Sequence, residues 1–191
     1  SIIAKRHFYN LNYNNSEVHV LEALRYQKLK KNYLLKNNKD KVLILGDILK
    51  NATNQMLNSI YRALPYCGDK SFYFKPHPAQ PIRIDKDFEN IKIIDKPLSK
   101  VLKEYNTVIC PASSGAAVEA FYGNLNTIVF ISHGELNTSP LKDFDGVEFF
   151  SYPEELVSVI NKSNVNNKNK EIFLIDEKTP RWNKFLENIL S

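Results

Sequence analysis

The sequence predicts an α/β domain in which a Rossmann-like parallel sheet is flanked by helices. Short apolar runs alternate with segments of helical period along most of the chain. Those runs are continuously apolar instead of alternating with polar residues, the mark of strands covered on both faces. The length of 191 residues, 43% of them hydrophobic and 25% charged, suits one core of this kind.

The elements follow in order. Ser16–Lys36 reads as a long helix capped by Ser16, with Val18, Leu21, Leu24, Leu29 and Tyr33 returning at roughly helical spacing. The polar stretch Lys36–Asp40 ends it. The expected strands are Val42–Leu45, Phe72–Lys75, Ile91–Ile94, Thr107–Cys110, Thr127–Ile131 and Val147–Phe150. Between several of them lie helical patterns at Gln55–Leu64, Leu98–Tyr105, Ser114–Tyr122 and Glu154–Ile160. Asn161–Lys170, rich in Asn and Lys, reads as a mobile loop. Pro180–Leu190 is a last helix, with proline where the first turn tolerates it. The expected organisation is an N-terminal segment over 1–40, a Rossmann-like domain over 41–161, and a loop with a C-terminal helix over 162–191.

Composition excludes several classes. The longest apolar runs fall far short of the roughly 20 residues of a membrane-spanning helix. With 6 Gly and 9 Pro, collagenous and Gly/Pro-rich low-complexity chains are out. The net charge of +5 permits an anionic ligand or a membrane surface, but the lysines are dispersed among acids, so no nucleic-acid partner is expected. Two cysteines, Cys67 and Cys110, with no spaced Cys/His cluster, suggest a reducing compartment and no metal centre. His7, His19, His77 and His133 are too scattered to mark one. Ser1–Asn15 has no apolar region of the signal-peptide kind, and the chain is expected to be a piece of something longer.

Ligands of an open parallel sheet bind beyond the carboxyl ends of its strands, so the residues that follow each strand matter most. They are Gly46-Asp47, Lys75-Pro76-His77-Pro78, Pro111-Ala112-Ser113-Ser114-Gly115 and Ser132-His133-Gly134-Glu135. Ser113 and Ser114 with the free N–H groups of a helix start form an anion site, and Gly115 would let a phosphate approach the backbone. The alternative is a serine that merely caps the helix. His77, fixed between two prolines and preceded by Lys75, can donate a hydrogen bond or a charge to a phosphate; otherwise it is an ordinary loop histidine. Glu119 would accept hydrogen bonds from ribose hydroxyls or pair with a neighbouring group. Asp47 would touch ligand or cap the following helix. His133 and Glu135 read as solvated, and Asp143-Phe144-Asp145, before Gly146, reads as a turn rather than as a metal–nucleotide motif. No Gly-x-Gly-x-x-Gly or P-loop pattern occurs.

Lys75-Pro76-His77-Pro78 together with Ser113-Ser114-Gly115-Ala116-Ala117-Val118-Glu119-Ala120 resembles a known family. The resemblance is to the C-terminal, nucleotide-sugar-binding half of GT-B glycosyltransferases that build bacterial surface carbohydrate. Sialyl- and polysialyltransferases, capsule Kdo transferases and CDP-glycerol polymerases share such His-Pro and Ser-Ser motifs. Glu22-Ala23-Leu24-Arg25-Tyr26 also resembles the helix that joins the two halves of such proteins, and the likeness runs from about Glu22 to Trp182.

The resemblance implies a GT-B C-terminal-domain fold and a metal-independent glycosyltransferase without cofactor. His77 would be catalytic, contacting the donor phosphate. Lys75, Ser113 and Ser114 would hold that phosphate, and Glu119 would contact the ribose or sugar; Gly115 and Asp47, from the reading of the loops themselves, are the other expected substrate-binding residues. The general base of the family belongs to an N-terminal half that has no match here. The implied partners are a CMP- or other nucleotide-linked sugar and that missing half. A cytoplasmic location, a peripheral position at the inner face of a membrane, and a homodimer through exposed apolar surface complete the expectations. The alternatives are half of a CDP-glycerol-type phosphotransferase, a non-catalytic nucleotide- or sugar-binding module, and a purely structural α/β interaction domain.

Overall fold

A computed structural model describes residues 5, 17–27, 40–80, 90–162 and 173–190. The chain divides into two compact units, Lys31–Asn167 and the paired ends Ser1–Lys30 and Lys168–Ser191.

The larger unit is built on six strands: β1 (Lys41–Leu45), β2 (Ser71–Lys75), β3 (Ile91–Ile93), β4 (Thr107–Pro111), β5 (Asn126–Phe130) and β6 (Val147–Phe150). All pair in parallel, in the order β3-β2-β1-β4-β5-β6. Every apolar run expected as a strand is one. β4 and β5 are buried along their whole length, which is why their sequences carry no polar alternation. The helices are α1 (Lys50–Ala63), α2 (Leu98–Val101), α3 (Gly115–Tyr122) and α4 (Pro153–Ile160). The helical pattern at Leu98–Tyr105 is only half α-helix, since Leu102–Glu104 tightens into a 3-10 turn.

The main core joins Met56, Leu57 and Ile60 of α1 and Leu156 and Ile160 of α4 to Ile44, Phe74, Ile109, Ile128, Phe130 and Phe150 of the strands. The alternate strand residues Leu43, Val108, Cys110 and Val129 are equally buried, and α3 packs on β4 and β5. Fully burying one such side chain contributes about 1.5–3 kcal/mol, so the covered sheet dominates the stability of this unit. No helix among the described residues is long and apolar enough to cross a membrane.

The smaller unit corrects the expected N-terminal helix. Residues 17–23 are not helical, and only Leu24–Tyr26 closes a 3-10 turn; residues 28–36 lie outside the described residues. The physical reason is a competing set of partners. The N–H of Ala23 donates to the carbonyl of Leu174 at 2.8 Å, outside any helical ladder. The buried Glu22 carboxylate accepts from the N–H groups of Arg181 and Trp182 at 2.9 and 3.1 Å, at the start of helix α5 (Pro180–Leu190). The Trp182 indole N–H returns to the Glu22 carbonyl at 2.9 Å. Tyr26 stacks on Phe173 with ring centroids 4.2 Å apart. Of the expected loop Asn161–Lys170, residues 163–170 also lie outside the described ones.

Candidate functional site

The chain leaves β1 towards β2 on one side and returns through β4 on the other, so the sheet order reverses between β1 and β4. The carboxyl ends of neighbouring strands diverge at such a point and leave a crevice for ligand. Gly46-Asp47, Lys75–His77 and Ser113–Gly115 all leave the sheet at this edge, on the adjacent strands β2, β1 and β4.

Backbone contacts fix these ends to one another. The N–H of Gly46 donates to the Lys75 carbonyl, and that of Ala112 to the Phe130 carbonyl, both at 2.9 Å. A Cβ on Gly46 would stand 3.1 Å from the backbone nitrogen of His77, so the absence of a side chain lets the β1 and β2 ends meet.

His77 closes a tight turn with Gln80, whose N–H donates to the His77 carbonyl at 2.9 Å. Its Nδ1 accepts from the Ala79 N–H at 3.2 Å. A neutral imidazole held that way carries its proton on Nε2, which is then a hydrogen-bond donor. Lys75 and His77 are both half-buried.

Asp47 is almost wholly buried, 5% exposed. Its Oδ1 accepts from the Leu49 N–H at 2.9 Å, and its Oδ2 accepts from the Ser113 hydroxyl at 2.5 Å. Its own N–H donates to Thr53 Oγ1 at 2.8 Å. Asp47 thus shapes the turn ahead of α1 and ties β1 to β4 across the reversal; the residue at the helix N-cap itself is Leu49. Thr53, buried one turn into α1, was not expected to matter. Its only sequence signal is a polar residue on the apolar face of a helix.

Ser114 is the N-cap of α3, its Oγ accepting from the Ala116 N–H at 3.3 Å, and Gly115 is the first helical residue. The two serines therefore divide their work: Ser113 spends its hydroxyl on Asp47, and Ser114 caps. Glu119 lies half-buried on α3, about one turn further on.

Electrostatics separates the three longer helices that start at this edge. α4 carries Glu154 and Glu155 in its first turn, and Glu155 Oε2 accepts from the Ser151 and Tyr152 N–H groups at 2.7 and 3.2 Å. Ahead of α1 stands the Asp47 carboxylate. α3 has no acid in its first turn and only a neutral serine cap. Asp47 also stands beside this end, through its bond to Ser113 one residue ahead of the cap, so all three helices start near a carboxylate and α3 differs in carrying none within its own first turn.

His133 and Glu135 are exposed. The His133 ring bonds through Nε2 to the Ser151 carbonyl at 2.7 Å and stacks on Tyr152, centroids 4.8 Å apart. Asp143 and Asp145 lie in successive turns closed by Gly146 at φ 87°. Among the described residues no group of three His, Cys, Asp or Glu side chains could hold a metal ion.

No family model and no curated protein sequence matches this chain. Four solved chains resemble it in fold, among them the following two. The UDP-GlcNAc 2-epimerase of Methanocaldococcus jannaschii, solved with UDP-GlcNAc and UDP, superposes with a TM-score of 0.67 at 15% identity, over 98% of this chain and 59% of that one. The glycosyltransferase SnogD of Streptomyces nogalater gives 0.53 at 12% identity, over 78% of this chain and 40% of that one. The fold is thus a Rossmann-like parallel sheet of GT-B type. The chain spans less than two thirds of either neighbour's length.

Proposed function

We propose that this chain is the nucleotide-sugar-binding half of a glycosyltransferase that makes bacterial surface polysaccharide. The observation that carries the reading is a convergence at the edge where the sheet order reverses: the α3 N-terminus, with no acid in its own first turn, shares that edge with Lys75 and with the His77 ring, whose Nδ1 accepts from the Ala79 N–H.

The chemistry that follows is leaving-group stabilisation. As the bond from sugar to phosphate breaks, negative charge grows on the phosphate oxygens. Donors already in place stabilise that charge more than the ground state, which lowers the barrier. The N–H groups at Gly115 and the Ser114 cap would hold the phosphate from the helix end, and His77 Nε2–H and the Lys75 ammonium would add donors. Ser113, engaged by Asp47, positions the loop, and Glu119 would receive ribose or sugar hydroxyls. Acceptor binding and deprotonation would come from a second, N-terminal half.

The fold likeness to UDP-GlcNAc 2-epimerase favours a second reading, half of a nucleotide-sugar epimerase with the same diphosphate grip. Both readings require nucleotide binding at α3. Thermal unfolding with CMP, CDP, UDP, GDP and free phosphate tests them together. Binding at 100 times the dissociation constant stabilises the native state by about 2.7 kcal/mol. The expected result is an upward shift with one nucleotide, lost in His77→Ala and Ser114→Ala. Ser114→Ala also removes a helix cap, worth about 1 kcal/mol, so the ligand-induced increment is what counts. A shift that survives both substitutions would refute the site.

A further inference from the structure

We infer that Thr53 is a positioning residue for the Ser113–Gly115 loop. Acting through Asp47, it sets how far the crevice between β1 and β4 opens, and so how tightly the loop holds a phosphate. The affinity effect rests on the nucleotide reading above; the placement of the loop does not.

The two halves of the sheet part at this crevice. Backbone pairing between β1 and β4 runs from Val42–Thr107 to Ile44–Ile109 and stops there. On the outer sides the ladders continue, β1 with β2 through Leu45–Lys75 and β4 with β5 through Pro111–Phe130. Past Ile44 and Ile109, each strand end is therefore held to its outer neighbour. The bond that spans the gap comes from side chains, the Ser113 hydroxyl donating to Asp47 Oδ2.

Asp47 bridges the gap only if its backbone is fixed, and Thr53 fixes it. Thr53 is fully buried, and a buried hydroxyl is costly unless it is bonded. Its Oγ1 accepts the Asp47 N–H at 2.8 Å. The same oxygen lies 3.4 and 3.3 Å from the carbonyls of Asp47 and Leu49, either of which accepts its single hydrogen. The Leu49 N–H, bonded to Asp47 Oδ1 at 2.9 Å, closes the same turn and leaves Oδ2 for Ser113. A chain of bonds thus runs from α1 through Thr53 and Asp47 to Ser113, one residue ahead of the α3 cap. The Ser114 N–H donates to the Pro111 carbonyl at 3.0 Å, so the loop is a tight turn and a shift at Ser113 carries the cap with it. A hydroxyl that served only the start of α1 would leave that loop unmoved.

The test pairs amide NMR with calorimetric titration of CMP, CDP, UDP and GDP. Thr53→Val removes the hydroxyl and keeps the branched shape. It is expected to shift the Ser113, Ser114 and Gly115 amides and to weaken nucleotide binding by roughly three- to tenfold, the effect of one lost hydrogen bond. Thr53→Ser should keep both at wild-type values. In a Ser113→Ala background Thr53→Val should change neither, because the link is already cut. Loop amides that stay put in Thr53→Val, or equal effects in the two backgrounds, would overturn the inference. Coupling is reciprocal, so Ser113→Ala alone, at an exposed position, should shift the Asp47 and Thr53 amides. That measurement decides the inference if Thr53→Val does not fold, and unmoved amides there would sink it. A wild-type chain that binds none of the four nucleotides would refute the nucleotide reading and the affinity effect with it, while the amide response still decides whether Thr53 places the loop.

Discussion

Gly46 shows how little chain can separate two loops of a site. An added methyl group would press on the backbone nitrogen of His77 at 3.1 Å and on the ring of Phe74 at 3.2 Å. The ring has a little freedom, but the backbone has almost none, because the adjacent Lys75 carbonyl is already bonded to Gly46. Gly46→Ala is therefore expected to cost about 1–3 kcal/mol, the usual range for overpacking, and to weaken nucleotide binding by displacing His77. Urea unfolding and a nucleotide titration of the variant check both effects; unchanged stability would mean that the strand ends part freely. At this scale the sequence was readable in kind but not in pairing. Asp47, His77 and Ser113 stood out because polar residues that follow apolar strands face the ligand edge. That Ser113 would give its hydroxyl to Asp47, 66 positions away, depended on β1 and β4 being neighbours.

At the scale of elements, strands were legible and one helix was not. A strand buried on both faces writes itself as an unbroken apolar run, and the observed spans begin and end within a residue or so of those runs. The segment Ser16–Lys36 had helical period, yet where it is described its backbone serves another element. Glu22 closes the first turn of α5 from 159 positions away. Desolvation raises the pKa of its carboxyl, but the N–H groups of Arg181, Glu22 and Trp182, with the Arg181 charge, outweigh that and hold it below the ordinary 4.5. A depressed carboxylate contributes stability that is present above its unfolded pKa and lost as pH falls through the folded one. The Glu22→Gln variant is thus expected to flatten the acid limb of stability below about pH 4.5. Trp182, the single tryptophan, reports on this unit by fluorescence. An identical acid limb in the variant would show that the contact carries no linkage.

Taken as a whole molecule, the larger unit stores a response at the opposite end of the pH scale. Burial pushes the Cys110 thiol up to about 12, from an ordinary 9.0, and raises Cys67 as well. Burial, with Tyr73 and Glu104 nearby, raises the Tyr105 phenol to about 12. Each group stays protonated in the native core after it would ionise in the unfolded chain. The stability they contribute is full below the unfolded values and is lost as pH rises towards the folded ones. Denaturant stability should fall from about pH 9 upward, and less steeply in Cys110→Ala. Cys110, fully buried, should react with a thiol reagent only as fast as the unit opens. Rapid labelling of the native protein would contradict this.

The sequence by itself determined the α/β class, the six strands and the polar loops that follow them, because burial on two faces and turn chemistry are local properties of the chain. Strand order was beyond it, and so was the edge shared by Lys75, His77, Asp47 and Ser113. Those rest on which strands lie side by side, a choice made by packing among residues tens of positions apart. The division of labour between the serines and the fate of the N-terminal segment have the same origin: each hydrogen-bond donor goes to the best acceptor within reach, and only the tertiary structure brings those acceptors near.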